Sequence, residues 1–369
     1  MSSPGALDGV VVADFSRVLA GPYATMMLAD LGAEVIKIER PGSGDDTRSW
    51  GPPFDADGQA TYFNSVNRNK RSVVLDLQTP EGVEQAREIV RRADVVVENF
   101  RTGTMERLGL GYDDLAEQQP GLIYCSITGF GSGQGADLPG YDLLVQAVGG
   151  LMSVTGPHPG EPTKVGVALV DVLAGLHAAT GILAALHHRT ATGHGQKVET
   201  NLLSTLLSSL VNQASGYLGA GAVPGIMGNR HPSITPYQVF STADRPLVLA
   251  VGNDKQFRAL CVALGCESLA DSEEYADNTS RVRNRDALVA VLTERLVTRG
   301  SDEWFAVLNE AGVPVGPIND IAQAFDLAKR LELGAVVDVP GTSVPQVANP
   351  IRMSVTPPQY RSAPPKLGG

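Results

Sequence analysis

The sequence predicts an α/β protein in which a doubly wound, mostly parallel, Rossmann-like sheet domain is joined to a smaller α+β domain. Two observations support this prediction. Short apolar segments alternate with helix-forming segments over about the first 130 residues, as they do in repeated β-α-β units. The alternation stops after about Leu218, where glycine and proline become frequent.

The first β-α-β unit occupies about the first forty residues. Val10–Phe15 is an apolar run typical of a buried parallel strand, Tyr23–Leu31 is helix-forming, and Glu34–Glu39 predicts the second strand. A later helix begins after Thr79, because threonine is a good cap and Pro80 suits the first helical position. Further strands are predicted at Val73–Leu77, Asp94–Glu98 and Leu122–Ile127.

The domain boundaries follow from the change in composition. Residues 1–218 and 330–369 are assigned to the large, sheet-containing domain, and residues 219–329 to the small domain with its linkers. Within the small domain, Tyr237–Ser241 and Leu247–Val251 flank a short turn and predict a hairpin. The helices predicted there are Asp254–Leu264, Arg283–Leu296 and Asp302–Gly312.

The composition excludes several classes of function. Hydrophobic residues make up 43% and charged residues 19% of the 369 residues, and the formal net charge is -11. A globular protein is therefore expected, and nucleic acid is not expected as a partner, because phosphate binding requires a basic surface. The three cysteines and scattered histidines match neither a disulfide framework nor a metal site.

One apolar stretch, Val165–Leu186, is long enough to span a bilayer. It contains Asp171 and His177, and a central aspartate costs about 2.5–3.5 kcal/mol on insertion scales. The stretch is therefore interpreted as a strand end followed by a buried helix. Because no basic region precedes the first apolar run, no secretory signal is expected, and a cytoplasmic protein without membrane contact follows.

Several polar residues are expected at the ligand-binding rim of the sheet. Arg40 ends the second strand, where a guanidinium suits a phosphate, although a solvated surface arginine is an equal alternative. Asn99 and Phe100 follow a strand directly and suit a purine, although the aromatic ring alone is more often core. The further cations near predicted strand edges are Arg68, Lys70, Arg71, Arg101 and Arg107.

Asp171 is the most informative residue, because it stands between two apolar runs and its carboxylate needs a compensating interaction. Two explanations remain open: a helix N-cap, which spacing alone favours, or a nucleophile at a helix N-terminus. Tyr141 can donate a hydrogen bond to a reacting oxygen or serve in the core. Gly225–Pro232 is either a mobile loop that closes over a site or an interdomain linker.

Seven segments together resemble family III CoA-transferases, the group that includes formyl-CoA transferase, carnitine CoA-transferase and α-methylacyl-CoA racemase. The resemblance runs from Asp14 to Pro365, over almost the whole chain. None of the segments alone would be specific. They are Arg17–Pro22, Gly32–Pro41, Asn67–Ser72, Val97–Phe100, Gly140–Asp142, Val167–Asp171 and Gly312–Ile318.

The resemblance implies specific roles. Asp171 matches the family's catalytic aspartate, which becomes acylated and then carries CoA as a thioester. Arg40 matches the arginine at the nucleotide phosphates, and Tyr141 matches an aromatic residue near the nucleophile that binds substrate. The implied substrate loop includes Gly228 and Asn229. The remaining implied CoA contacts are Val18, Leu75, Asn99, Phe100 and Arg107.

The resemblance also implies a homodimer of interlocked chains, acyl-CoA and a small carboxylic acid as substrates, and no tightly bound cofactor. Gly44–Phe54 and His231–Tyr237 are most similar to members that exchange CoA between succinate and hydroxymethylglutarate, which implies a dicarboxylic acid. The racemases have histidine where this chain has Tyr141, and a tyrosine of pKa ~10 is a poor base. Alternatives are a 2-methylacyl-CoA racemase or epimerase, and a non-catalytic CoA-binding module.

Overall fold

The computed structural model describes residues 4–369 and divides them into two compact units. Unit 1 consists of residues 4–152, Lys164–Val223 and Glu332–Gly369, and unit 2 of Ser153–Thr163 and Pro224–Leu331. The sequence placed residues 153–163 in the large domain. The division into domains stays a prediction, because a compact unit is not necessarily a segment that folds alone.

Unit 1 is built on one parallel sheet of six strands in the order β3-β2-β1-β4-β5-β6. This is the strand order of a doubly wound dinucleotide-binding fold, so the predicted Rossmann-like sheet is confirmed. The strands are β1 (Val11–Asp14), β2 (Glu34–Glu39), β3 (Lys70–Val74), β4 (Val95–Glu98), β5 (Ile123–Thr128) and β6 (Lys197–Asn201).

Helices cover both faces of this sheet, because successive strand residues point to opposite sides. Val95 belongs to the core beneath α1 and α8, and Val96 to the core on the other face. The helices up to residue 220 are α1 (Ala20–Asp30), α2 (Thr61–Asn64), α3 (Pro80–Val90), α4 (Thr104–Arg107), α5 (Tyr112–Ala116), α6 (Asp142–Val148), α7 (Leu151–Val154), α8 (Leu169–Thr192), α9 (Leu202–Ser209) and α10 (Val211–Ala220).

Two sequence expectations about local structure in unit 1 are wrong. The third strand begins at Lys70 and ends at Val74, so Leu75 follows the strand. The apolar hydropathy pattern misses this start, because Lys70 pairs with Val35 despite its charge. The segment before Asp171 forms no strand; α8 begins at Leu169 after an irregular segment.

By length and composition, helix α8 is long and apolar enough to cross a membrane. This is weak evidence for a membrane span, because the core helices of soluble proteins meet the same criteria. The structure buries 39% of its most apolar window, so the helix is only partly buried. Leu176 and Leu183 are exposed by 38% and 37%, respectively. The expectation of a buried helix therefore holds for one face of α8.

Unit 2 contains an antiparallel sheet with helices, as predicted for the smaller α+β part. Its strands are β7 (Tyr237–Phe240), β8 (Leu247–Ala250) and β9 (Val315–Pro317), and β7 and β8 form the expected hairpin. Its helices are α11 (Asp254–Ala263), α12 (Ser268–Asp271), α13 (Asn278–Arg283), α14 (Arg285–Leu296), α15 (Ser301–Glu310) and α16 (Ile321–Arg330). The chain returns to unit 1 with β10 (Val336–Val337) and β11 (Gln346–Val347).

Candidate active site

A cleft lies at the carboxyl edge of the parallel sheet in unit 1, beside the point where the strand order reverses between β1 and β4. Ligands of doubly wound folds bind at this point. The cleft has a volume of about 220 Å³ and is formed by the segments that follow β1, β4 and β5. It brings together five of the predicted site residues: Val18, Asn99, Phe100, Tyr141 and Asp171.

Asp171 is the third residue of α8 and lines the cleft from the first turn of that helix. The N-cap position is occupied by Ala168, which offers no side-chain cap, so the interpretation of Asp171 as the cap is wrong. Gly175, one turn later, lies so close to α1 that a Cβ there would be 2.6 Å from the Ala20 carbonyl oxygen. This close approach fixes α8 beside the turn that follows β1.

A second carboxylate supplies the cap that α8 lacks. Asp142 Oδ1 accepts hydrogen bonds from the backbone N–H groups of Val170, at 2.8 Å, and Asp171, at 3.3 Å. Two carboxylates therefore lie at one helix N-terminus, where the helix dipole favours negative charge.

The environment of Asp171 makes its carboxyl group weakly acidic. Burial, and then the charge of Asp142, raise the pKa of Asp171 to about 7. A carboxyl group with a pKa near neutrality suits a nucleophile or a base that works near that pH.

The turn that follows β1 forms another wall of the cleft and has a strained backbone. Val18 has φ of +70°, a left-handed conformation that is unfavourable for a β-branched residue. Its backbone N–H donates to the carboxylate of Asp45, at 3.3 Å from each oxygen. The fully buried Lys37 donates to Asp45 at 2.8 Å and to the Ser16 carbonyl at 3.0 Å, so buried charges hold this turn in place.

Asn99 holds the same turn from the neighbouring strand. Its side-chain oxygen accepts from the Arg17 N–H, and its amide donates to the Arg17 carbonyl, both at 2.8 Å. The amide keeps a second N–H and a second oxygen lone pair for a further partner, so the expectation that it hydrogen-bonds a purine stays a prediction. Phe100 lines the cleft, and the Arg17 guanidinium lies 5.2 Å from the centre of its ring.

Tyr141 is 65% exposed at the rim of the cleft, directly before Asp142. Close backbone packing explains its position, since a Cβ on Gly140 would lie 2.5 Å from the Gly129 Cα. The glycine pair draws the segment before α6 against the end of β5, so Tyr141 and Asp171 share one cleft.

The other five predicted site residues do not line this cleft. Arg40 is exposed and pairs with Asp46, a cleft residue. Leu75 is buried in the core of unit 1, and the Arg107 guanidinium donates to the Thr104 hydroxyl on the surface. Gly228 and Asn229 belong to unit 2, where Gly228 has a positive φ of 62°.

The expected row of cations at the ligand-binding rim is wrong in part. Arg68 is buried and pairs with Asp30 at 2.6 Å, and Lys70 is buried and pairs with Asp14 at 3.2 Å. Arg71 lies near the amino end of β3, away from the carboxyl edge. Of this set, Arg101 lines the cleft.

The sequence left several important residues without a role. Gln146 is polar within the apolar run of α6, and Lys37 is polar within the apolar strand β2, so each breaks a pattern that could have identified it. Asp142 was part of a recognised segment, but the backbone N–H groups that it caps lie on another helix. Within residues 4–369, no group of three or more His, Cys, Asp or Glu side chains could hold a metal ion.

The sheet, the cleft at its switch point and a partly buried, weakly acidic aspartate define an α/β protein with a nucleotide-type ligand site and a candidate nucleophile. The sequence matches CoA-transferase family III over residues 7–369. The chain therefore belongs to CoA-transferase family III, and the enzyme class expected from the sequence is confirmed.

Similar proteins agree with this assignment. The chain is 46% identical to the succinate–glutarate CoA-transferase of Agrobacterium fabrum, over 98% of this chain and 93% of that protein. It is 42% identical to the succinyl-CoA:glutarate CoA-transferase of Homo sapiens, over 98% and 83% of the two chains. The crystal structure of a CAIB/BAIF family protein from Brucella suis is 45% identical with a TM-score of 0.88, covering 100% of this chain and 97% of that chain.

Proposed function

We propose that the protein transfers CoA from succinyl-CoA to a second dicarboxylic acid, with Asp171 as the covalent nucleophile. The observation that carries the proposal is the position of the Asp171 carboxyl group, at the start of α8 in the cleft and with a pKa of about 7. The acids are chosen because the relatives from A. fabrum and H. sapiens are named for succinate or succinyl-CoA and glutarate. CoA is a substrate here, and no tightly bound cofactor is proposed.

The first half of the reaction moves CoA onto the protein. An Asp171 carboxylate oxygen attacks the thioester carbonyl carbon of succinyl-CoA, and the C–S bond breaks. The products are a succinyl–aspartyl anhydride and CoA thiolate. The thiolate then attacks the aspartyl carbonyl carbon, which releases succinate and leaves CoA on Asp171 as a thioester.

The second half passes CoA to the acceptor. The acceptor carboxylate attacks the aspartyl thioester carbon, which forms a new anhydride and releases CoA thiolate. The thiolate attacks the acceptor's acyl carbon, so that acyl-CoA leaves and the Asp171 carboxylate is regenerated. No net proton is taken up, but the attacking carboxylate must be ionised, so activity depends on the pKa of Asp171.

We propose that CoA lies along the cleft beside Val18, Asn99 and Phe100, which form one wall. Asn99 also shapes the turn through its two hydrogen bonds to the backbone of Arg17. Arg40 is proposed to reach the CoA phosphates from the exposed surface beside the cleft residue Asp46.

The remaining site assignments rest on the resemblance alone. Leu75 and Arg107 stay predicted CoA contacts, although neither lines the cleft. Tyr141, at the rim of the cleft, is proposed to contact the substrate, as are Gly228 and Asn229.

The test is a transfer assay with succinyl-CoA and a panel of acids that includes glutarate, oxalate and acetate. Asp171→Asn is expected to lower kcat/KM at least about a thousandfold, because the nucleophile is lost. The matched control Asp113→Asn removes an exposed charge on α5 and should keep the parental rate. Hydroxylamine added with succinyl-CoA should form a hydroxamate on the Asp171 peptide. Parental transfer by Asp171→Asn would refute the proposal.

A second candidate function follows from the same carboxyl group, because a pKa of about 7 also suits a general base. A 2-methylacyl-CoA racemase would exchange the α-hydrogen of its substrate with solvent. Incubation with a 2-methylacyl-CoA in deuterium oxide distinguishes the two, since the transferase incorporates no deuterium at that carbon.

We also propose a cytoplasmic homodimer. The support for the dimer is that large apolar side chains of unit 1 are exposed, as they are at interaction sites; among them are Leu176, Leu207, Val211 and Leu218. Light scattering should give twice the 38.8 kDa chain mass, and cell fractionation should recover the protein without detergent. A monomer, or recovery only in the membrane fraction, would contradict this.

A further inference from the structure

Asp142 and Gln146 form a hydrogen-bonded pair on α6. Asp142 Oδ2 accepts from the Gln146 amide, and Gln146 Oε1 accepts from the Val165 N–H at 2.9 Å. Gln146 is fully buried, so these two bonds fix the orientation of its amide. A flipped amide would face its oxygen toward a carboxylate and its NH₂ group toward a backbone N–H.

The hydrogen bonds that connect this pair to the nucleophile's helix all run to backbone N–H groups. Asp142 Oδ1 holds the N–H groups of Val170 and Asp171, while Gln146 holds the segment that leads into α8. Resting on the proposed function, we propose that Asp142, held by Gln146, is a positioning residue that caps the nucleophile's helix and places a negative charge beside the Asp171 carboxylate.

The adjacent charge has a direct consequence for the reaction. In the resting enzyme, two like charges lie at one helix end, which disfavours the ionised form of Asp171. Acylation of Asp171 removes one of those charges, so the repulsion is absent from the anhydride and from the CoA thioester. Asp142 therefore destabilises the free carboxylate relative to both covalent intermediates.

Other charged or titratable groups surround Asp171 but differ in effect. Asp142 is the charged neighbour that raises the pKa of Asp171. The groups in the cleft, or near it, are Arg17, Asp46, Arg101, Tyr62 and Tyr141. The groups on the elements packed against α8 are Tyr23 and Asp30 on α1, Tyr124 and Cys125 on β5, and Lys197 and Glu199 on β6. Two ion pairs occur among these groups and their neighbours: Asp30 pairs with Arg68, and Lys197 pairs with Glu199.

The first variant, Asp142→Asn, removes the charge and keeps an oxygen to cap α8. The low-pH limb of kcat/KM, which reports the free enzyme, should move down by about one pH unit, because the ionised form of Asp171 is no longer opposed. The plateau should also fall about tenfold, because the introduced NH₂ group meets the Gln146 amide and disturbs the alignment of α8.

The second variant, Asp142→Asn with Gln146→Glu, separates the two effects. The introduced glutamate accepts from the introduced asparagine and from the Val165 N–H, so the hydrogen bonds are restored. The negative charge is then carried by residue 146 in place of residue 142. The plateau should recover to within about threefold of the parent, while the limb stays lower than in the parent. Asp113→Asn, the matched surface charge, should change neither.

A merely structural role predicts a different result: Asp142→Asn would lower the plateau and the melting temperature, with the limb unmoved. That result, or a double variant without recovery although it folds by circular dichroism, would overturn the proposal. A readout independent of activity is the ¹³C NMR titration of labelled aspartate, with Asp171 assigned by its loss in Asp171→Asn. The pH at which Asp171 titrates should fall in both variants, whether or not the parent transfers CoA. If the parent transfers CoA to none of the acids, only the proposed function is refuted.

Discussion

Two regions of unit 1 hold carboxylates that are buried fully or in part, and their charge environments are opposite. Beneath the turn that follows β1, Lys37 pairs with Asp45 at 2.8 Å and Lys70 pairs with Asp14 at 3.2 Å. Burial alone would raise the pKa of each carboxyl group, but the neighbouring ammonium groups hold both pKa values below the usual range. Burial lowers the pKa of Lys70 to about 8, so it remains mostly charged at neutral pH.

At the start of α8, by contrast, Asp171 lies beside the carboxylate of Asp142, and its pKa rises to about 7. The two regions support different walls of the same cleft, to which Val18 and Asp171 both belong. Beneath the turn, each carboxylate is compensated by a buried ammonium group, and these pairs hold the backbone of the turn in one conformation. The charge of the nucleophile is left uncompensated, which keeps it reactive.

The largest expected effect comes from breaking the compensated region. Lys37→Met removes the cation that Asp45 and the Ser16 carbonyl contact. Because a buried carboxylate then lacks its partner, the free energy of unfolding should fall by about 3–5 kcal/mol. Urea unfolding followed by circular dichroism measures it.

The control is Arg71→Met, which also removes a cation from a strand but breaks an exposed pair with Glu34 at 3.9 Å. Its expected effect is below about 0.5 kcal/mol. Equal losses from the two variants would mean that the buried pair contributes no more than a surface pair.

The second effect is smaller and opposite in sign, because it concerns the uncompensated region. The pKa of Asp171 is about 7 in the folded chain against 3.8 for an ordinary aspartate. The folded state binds this proton more tightly, so the stabilisation from the protonated group is complete below pH 3.8 and is lost as the pH rises through 7. Asp171→Asn should therefore stabilise the protein at pH 8 by a few kcal/mol, and much less at pH 5.

Thermal unfolding of the parent and Asp171→Asn at pH 5 and pH 8 measures this difference. Asp113→Asn again serves as the control, because it removes an exposed charge of the same sign. A gain in melting temperature that is the same at both pH values would show that the folded-state pKa of Asp171 is not raised.

Much of the fold could be predicted from the sequence, because strands buried on both faces must be continuously apolar. Glu34–Glu39 was predicted with the observed bounds of β2, and Thr79 caps α3 as expected. The start of β3 could not be predicted, because Lys70 is accommodated there by Asp14, a residue 56 positions away in sequence. The start of the apolar stretch Val165–Leu186 suggested a strand end, but no strand of the structure includes the residues before α8.

The candidate site was predictable in part, because one of its residues interrupts an apolar pattern. Asp171 was identified because a carboxylate between apolar runs requires an explanation. Its cap could not be found, since Asp142 Oδ1 meets the Val170 N–H only after 28 residues of chain have folded back. Leu75 and Arg107 were assigned by resemblance, and the cleft does not include them.

The smallest effect tests whether the compensated charges hold a strained turn. Val18→Gly removes strain of roughly 1–2 kcal/mol at φ of +70°, and the greater freedom of glycine when unfolded offsets about half of it. A net gain of up to about 1 kcal/mol is expected, whereas Val73→Gly, in β3, should destabilise by about 1 kcal/mol or more. If the Lys37–Asp45 pair enforces the strain, the gain should disappear in a Lys37→Met background, where the turn can relax. An unchanged gain there would assign the strain to the Asn99 hydrogen bonds instead.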